Sequence, residues 1–145
     1  MANIELFSRH MAMDSTYIAD VSGEDTSVFV TWLDITKFEK VVGFVMLCTV
    51  ASNLTNFEIV TGNTAAGGAP TTVATLTNPV NINAALETAM IETRASLIQA
   101  VDADAIVANL SINSAGAVPV ALMMLRYNPR YAYASLTTAT ETAWT

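Results

Sequence analysis

From Ser27 onward apolar and polar residues alternate at period two, and β-branched and aromatic types fill the apolar positions. That rhythm predicts strands. Residues 27–34 put Val28, Val30 and Trp32 on one side, and Ser27, Phe29, Thr31 and Leu33 on the other. Residues 41–50 are apolar on both sides, which predicts a central strand. Phe57 to Thr61 is a short alternating strand, and Thr71 to Thr77 a threonine-rich one. Between them Gly62, Gly67, Gly68 and Pro70 mark a loop. Asn78-Pro79 reads as a turn.

Residues 84–100 carry two signals. Ala84 to Glu92 favours helix by propensity, whereas 89–95 also alternates as an irregular strand. The strand-like surroundings favour a strand over 89–95, and the segment as a whole stays open between the two. Asp102-Ala103-Asp104 is a turn, and residues 105–113 alternate again. Ser114 to Ala117 has hairpin-turn length, and 118–127 is a strand with a Met-rich centre. Residues 41–50 and 118–125 are the core candidates. The first twenty residues have weak periodicity, with Ile4, Leu6, Phe7, Met11 and Met13 scattered among polar positions. They read as an arm lying on the domain or on a neighbouring subunit, or as a short surface helix.

About eight short strands predict an all-β, antiparallel β-sandwich, jelly-roll-like, with extended N-terminal and C-terminal arms. The expected division is an N-terminal arm over 1–20, a sandwich domain over 21–135 and a C-terminal tail over 136–145. At 145 residues one domain can bury a sizeable core without disulfides.

Composition sharpens the picture. Charged residues make up 13% of the chain, against about 25% in an average soluble domain. Hydrophobic residues make up 52% and mean hydropathy is +0.43. The longest apolar run, near 41–51, falls short of the roughly 20 residues a membrane helix needs. The N-terminus has no basic stretch followed by an apolar one, so no secretory signal is expected. A surface so poor in charge is expected to lie against other protein, or to be clothed in small neutral residues such as threonine. The net charge of −7 opposes nucleic-acid binding and gives no attraction to an anionic membrane.

Catalytic equipment is sparse: one His (His10), one Cys (Cys48) and two lysines. A catalytic triad or a metal cluster would have to rest on His10 alone. Asp102 and Asp104 lack the spacing of a calcium loop, and Glu87 with Glu92 gives no reason to prefer a glycosidase pair over solvated acids. No enzyme activity, cofactor or metal is expected. The side chains to single out are contact types. Arg126, Tyr127, Arg130, Tyr131 and Tyr133 cluster within eight positions, and Tyr and Arg are enriched at interface hot spots. The alternative is a strand end whose tyrosines cover the core and whose arginines pair with acids such as Asp102 or Glu92. Phe7 and Met11 in the N-terminal arm and Trp144 in the tail complete the candidate interface. Trp144 anchors on a neighbour, docks on its own domain, or belongs to a disordered tail.

The second half resembles small head proteins of tailed bacteriophages, the decoration or cement proteins. The resemblance runs over about residues 85–140. It rests on Glu92-Thr-Arg-Ala-Ser96, then Ala103-Asp-Ala-Ile-Val-Ala-Asn-Leu-Ser111, a small-residue turn, Val118-Pro-Val-Ala-Leu122, Arg126-Tyr-Asn-Pro-Arg-Tyr-Ala132, and a final Leu-Thr-Thr-Ala. It implies a β-sandwich made in the bacterial cytoplasm that binds the capsid exterior and cements subunits of the major capsid protein. It also implies self-association, often as a homotrimer, and no enzymatic role. The alternatives are a head–tail connector, a tail or fibre module, or a carbohydrate-binding sandwich using Trp32, Trp144 and the tyrosines.

Overall fold

A computed structural model describes residues 11–48, 54–77 and 87–129. The elements are β1 (Met11–Ser27), β2 (Leu33–Asp34), β3 (Phe38–Leu47), β4 (Leu54–Gly62), β5 (Thr71–Thr77), β6 (Thr88–Arg94), α1 (Ala95–Val101) and β7 (Val107–Pro129). All pairings are antiparallel. The all-β sandwich expected from the alternation is the observed fold.

The organiser is β7. Its first half pairs with β4, which pairs with β5. Its second half pairs with β3, which pairs with β6. Along its other side β7 pairs with β1 from Ser111 to Tyr127, and with β2 at Val107–Ala108. The β1–β7 ribbon thus serves two sheets, one running β5-β4-β7 and the other β6-β3-β7-β1. It bends between them, and the register of β1 against β7 shifts at Ile18/Val21 and again at Val21/Gly23 and Gly23/Thr26.

The inward rows of the two sheets form the core. From β7 come Ala108, Leu110, Ile112, Val118, Val120, Leu122 and Met124; from β3, Val41, Val45 and Leu47; from β4, Phe57 and Ile59. Gly43 stands in the inward row of β3. A Cβ there would lie 2.6 Å from Leu110 Cδ2, 3.0 Å from Phe57 Cζ and 3.1 Å from Ile91 Cγ2. The missing side chain lets the facing sheet close in, because interiors pack at crystal-like density. Ile98 of α1 is buried in the same core.

Three expectations change. Residues 28–32 are outside any strand. The cause is Asn109, whose side-chain amide accepts from Phe29 N (3.0 Å) and donates to Phe29 O (2.8 Å). The amide stands in for a peptide group, so the chain bows off β7 and rejoins it at Leu33 opposite Ala108. Residues 114–117 are no hairpin turn, for β7 runs through them. Ser114 Oγ donates to Gly116 O at 2.7 Å, a local bond that accompanies a bend within the strand. Residues 11–20, expected in an arm, belong to β1. The strand favoured over 89–95 is present as Thr88–Arg94, and helix follows it from Ala95. Asn78-Pro79 lies outside the described residues.

Candidate functional site

The two sheets present different outer faces. On the β5-β4-β7 sheet the rows facing away from the core are largely polar but covered: Thr75, Glu58 and Ser111 stand in one, Thr72, Val60 and Asn109 in the next, and Glu58, Ser111, Val60 and Asn109 are buried. Much of that polarity is satisfied internally, since Thr72 and Thr75 hydroxyls each donate to the Glu58 carboxylate at 3.2 Å.

On the β6-β3-β7-β1 sheet the outer rows are apolar. One row is Glu92, Val42, Leu125 and Met13; the next is Met90, Phe44, Met123 and Ser15; the third is Thr88, Met46, Ala121 and Tyr17. Tyr17 is 62% exposed, Met90 56% and Met13 46%, while Phe44, Met46, Met123 and Leu125 are half-buried. Tyr17, Phe44, Met46 and Met123 line a shallow groove of about 600 Å³. The alternation of β3 and β7 produces this face: period two sends odd residues of β3 inward and even ones outward, and both sets are apolar.

One end of the face is polar. Tyr127 OH donates to Glu92 Oε1 at 2.7 Å, and Lys40 Nζ lies 3.4 Å from the same oxygen and 5.1 Å from the Tyr127 ring centroid. The Tyr127 hydrogen bond, then Lys40, holds the Glu92 carboxyl below its ordinary pKa. Tyr127, then Glu92, holds the Lys40 ammonium above its ordinary value.

The expected interface residues fare differently. Arg126 is turned into its own chain. Its guanidinium donates to Asp14 Oδ2 (2.8 Å) and Asp34 O (2.9 Å) and stacks 5.3 Å from the Phe38 ring centroid, tying β1, β2 and β3 together. This is the alternative in which the arginine pairs with an acid of its own chain, the acid being Asp14 in place of Asp102 or Glu92. Asp102 instead accepts from Thr61 Oγ1 at 2.9 Å. Tyr127 is half-buried at the rim just described. The backbone of Met11 opens β1 opposite Tyr127. Phe7, Arg130, Tyr131, Tyr133 and Trp144, with His10, lie outside the described residues. Trp32 is half-buried beneath Gly67, where φ is +76° and a Cβ would fall 2.0 Å from the indole. Cys48 is half-buried.

Sequence reasoning missed Met13, Tyr17, Phe44, Met90 and Met123 as a group. The available signal was the apolar outer side of residues 41–50, which was read as burial.

Among the described residues no three His, Cys, Asp or Glu converge as a metal site. No described helix is long and apolar enough to cross a membrane. A second hollow of about 370 Å³, beside α1, is lined by Ile35, Ile98, Ala105 and Ile106, with Asp104 its one acid. It brings no base or nucleophilic pair to that acid.

No family model and no curated protein matches the chain. Solved structures do. The STIV MCP, a viral capsid protein, aligns at 12% identity and TM-score 0.48, over 83% of this chain and 42% of its own. A family 11 carbohydrate-binding module from Clostridium thermocellum aligns at 12% and 0.43, over 81% and 84%. A structure of Bacillus endospore appendages, described as disulfide-linked pili, aligns at 13% and 0.41, over 82% and 88%. The likeness is one of fold. It assigns no function.

Proposed function

We propose that this chain is a structural virion protein whose apolar outer sheet face binds the outside of a capsid and cements major capsid subunits. The observation that carries the reading is the face of Met13, Tyr17, Phe44, Met46, Met90, Met123 and Leu125. Exposed contiguous apolar surface on a water-soluble domain marks an interaction site. Fully burying a Met side chain stabilises by about 1.5–3 kcal/mol. Covering the exposed parts of Met13, Met90 and Tyr17 therefore contributes on the order of 3 kcal/mol. That is modest for one contact, and it suits a subunit bound in many copies, where avidity multiplies weak contacts. The acidic surface keeps the free subunit soluble and sets its register on the partner. The polar end at Lys40, Glu92 and Tyr127 supplies a directional rim beside the apolar centre.

The carbohydrate-binding alternative needs an exposed aromatic platform; Trp32 is packed under Gly67, which leaves Tyr17 to supply it among the described residues. A connector or fibre role shares the same chemistry and differs in copy number.

The test is reconstitution. Particles assembled without this protein are mixed with purified wild-type chain or with Met90→Asp, then heated. Wild type is expected to bind in proportion to the capsid subunits and to raise the temperature of genome release. Met90→Asp is expected to bind at least tenfold more weakly with an unchanged fold. Equal binding by the two, or binding at one vertex only, contradicts the reading.

A further inference from the structure

Among the described residues the first half of β1 is an open edge. Residues Met11–Ile18 pair residue for residue with Val120–Tyr127 of β7, and among the described residues nothing pairs with their other side. Soluble proteins guard such edges with bulges, prolines or lysines. This one has none between Met11 and Ile18; the first register shift comes after Ile18. Its one charge, Asp14, is turned to the inner face and bonded to Arg126.

We infer that this edge takes the same edge of a second copy, antiparallel, so that two β6-β3-β7-β1 sheets join across a two-fold axis. The side-chain pattern selects the register. A continuous sheet needs directly opposed residues to share a face, so odd residues oppose odd ones. Of the registers that satisfy this, two overlap the most of Met11–Ile18. One sets Asp14 against Asp14 of the partner subunit, a like-charge pair that opposes assembly. The other centres on Ser15. It places Met13 opposite Tyr17 of the partner subunit, a sulfur–aromatic pairing on the outer face. On the inner face it sets Asp14 opposite Thr16 of the partner subunit, a hydroxyl donor. The Ser15-centred register is the one the charges permit. The joined sheets turn two apolar faces into one surface of twice the width, which serves capsid binding by the avidity already argued.

The inference rests on reading the chain as a self-assembling structural subunit, and its test is separate from that of the face. Ser15 stands on β1 and Met90 on β6, at opposite edges of the sheet. In a Cys48→Ala background, Ser15→Cys places two thiols on the axis, where opposed Cα atoms lie about 4.5–5.5 Å apart, within disulfide range. In a glutathione redox buffer Ser15→Cys is expected to run as a covalent dimer on a non-reducing gel. Asn63→Cys, on an exposed loop, stays monomeric. Ser15→Glu puts two carboxylates on the axis and is expected to halve the solution mass, from twice the 15.4 kDa chain mass to once, with an unchanged far-UV circular dichroism spectrum. Three results overturn the proposal. They are cross-linking of Ser15→Cys no greater than that of Asn63→Cys, a wild-type mass three times that of the chain and indifferent to Ser15→Glu, and a monomer that dimerises only when residues 131–145 are deleted. The last assigns the edge to the chain's own tail.

Discussion

Replacing Gly43 by alanine tests how the two sheets meet. The added Cβ falls 2.6 Å from Leu110 Cδ2, closer than carbon atoms approach, with Phe57 Cζ at 3.0 Å and Ile91 Cγ2 at 3.1 Å. Leu110 and Phe57 are fully buried, so neither can swing into solvent. Overpacking of this kind costs about 1–3 kcal/mol. The loss of glycine's unfolded-state freedom returns about 0.5–1 kcal/mol. A net destabilisation of up to about 2.5 kcal/mol, centred near 1, follows, or a few degrees in melting temperature for a domain of this size. Leu110→Val removes the colliding reach and alone costs about 1 kcal/mol. The double variant Gly43→Ala/Leu110→Val is expected to be more stable than the sum of the singles by about 1 kcal/mol. Urea unfolding of all four proteins measures the coupling. Strict additivity of the two substitutions would show that β3 does not lie against β4 and β7 as described.

Arg126→Met takes the guanidinium off the Phe38 ring and strips Asp14 and the Asp34 carbonyl of their donor, and a loss of about 2 kcal/mol in urea unfolding is expected. The rim titrates with a definite sign. The Glu92 pKa is lowered from 4.5 in the folded chain, so its contribution is present above that value and lost as pH falls through the folded one; Lys40, raised from 10.5, contributes below that value and loses its share as pH rises through the folded one. Tyr127→Phe removes the largest cause for Glu92, so carboxyl NMR titration should show the Glu92 midpoint moving up, and an unmoved midpoint refutes the contact. Gly67→Ala forces a side chain into a left-handed backbone position and onto the Trp32 ring; a shifted tryptophan emission maximum and a melting temperature several degrees lower are expected.

Alternation alone made the sandwich legible, and the long runs 41–50 and 118–125 supplied core residues as expected, among them Val41, Val45, Leu47, Val120 and Leu122. The tertiary substitutions were not legible. Asn109 replaces a backbone partner for Phe29 across 80 positions of sequence, and no local pattern announces it. The bend in β7 looks like a hairpin turn because Ser114-Ala-Gly-Ala has turn composition, whereas the flanking residues find partners in two different sheets. Weak periodicity over 11–18 hid a strand because the alternating positions hold Met13, Ser15 and Tyr17 on one side and Ala12, Asp14 and Thr16 on the other. The Arg–Tyr cluster drew attention to an interface, yet Arg126 is engaged within its own chain. The exposed methionines, unremarkable singly in sequence, become a surface only when four strands align them.

Those methionines also offer the most direct measurement. Mild peroxide converts exposed methionine to sulfoxide in proportion to access, and mass spectrometry reads each site. In the free chain Met13 and Met90 are expected to oxidise quickly and the fully buried Met124 slowly. In the protein bound to assembled particles Met13 and Met90 should be protected severalfold, with Met124 unchanged. Equal oxidation of Met13 and Met90 in the free and the bound protein would contradict the claim that this sheet face is the binding surface.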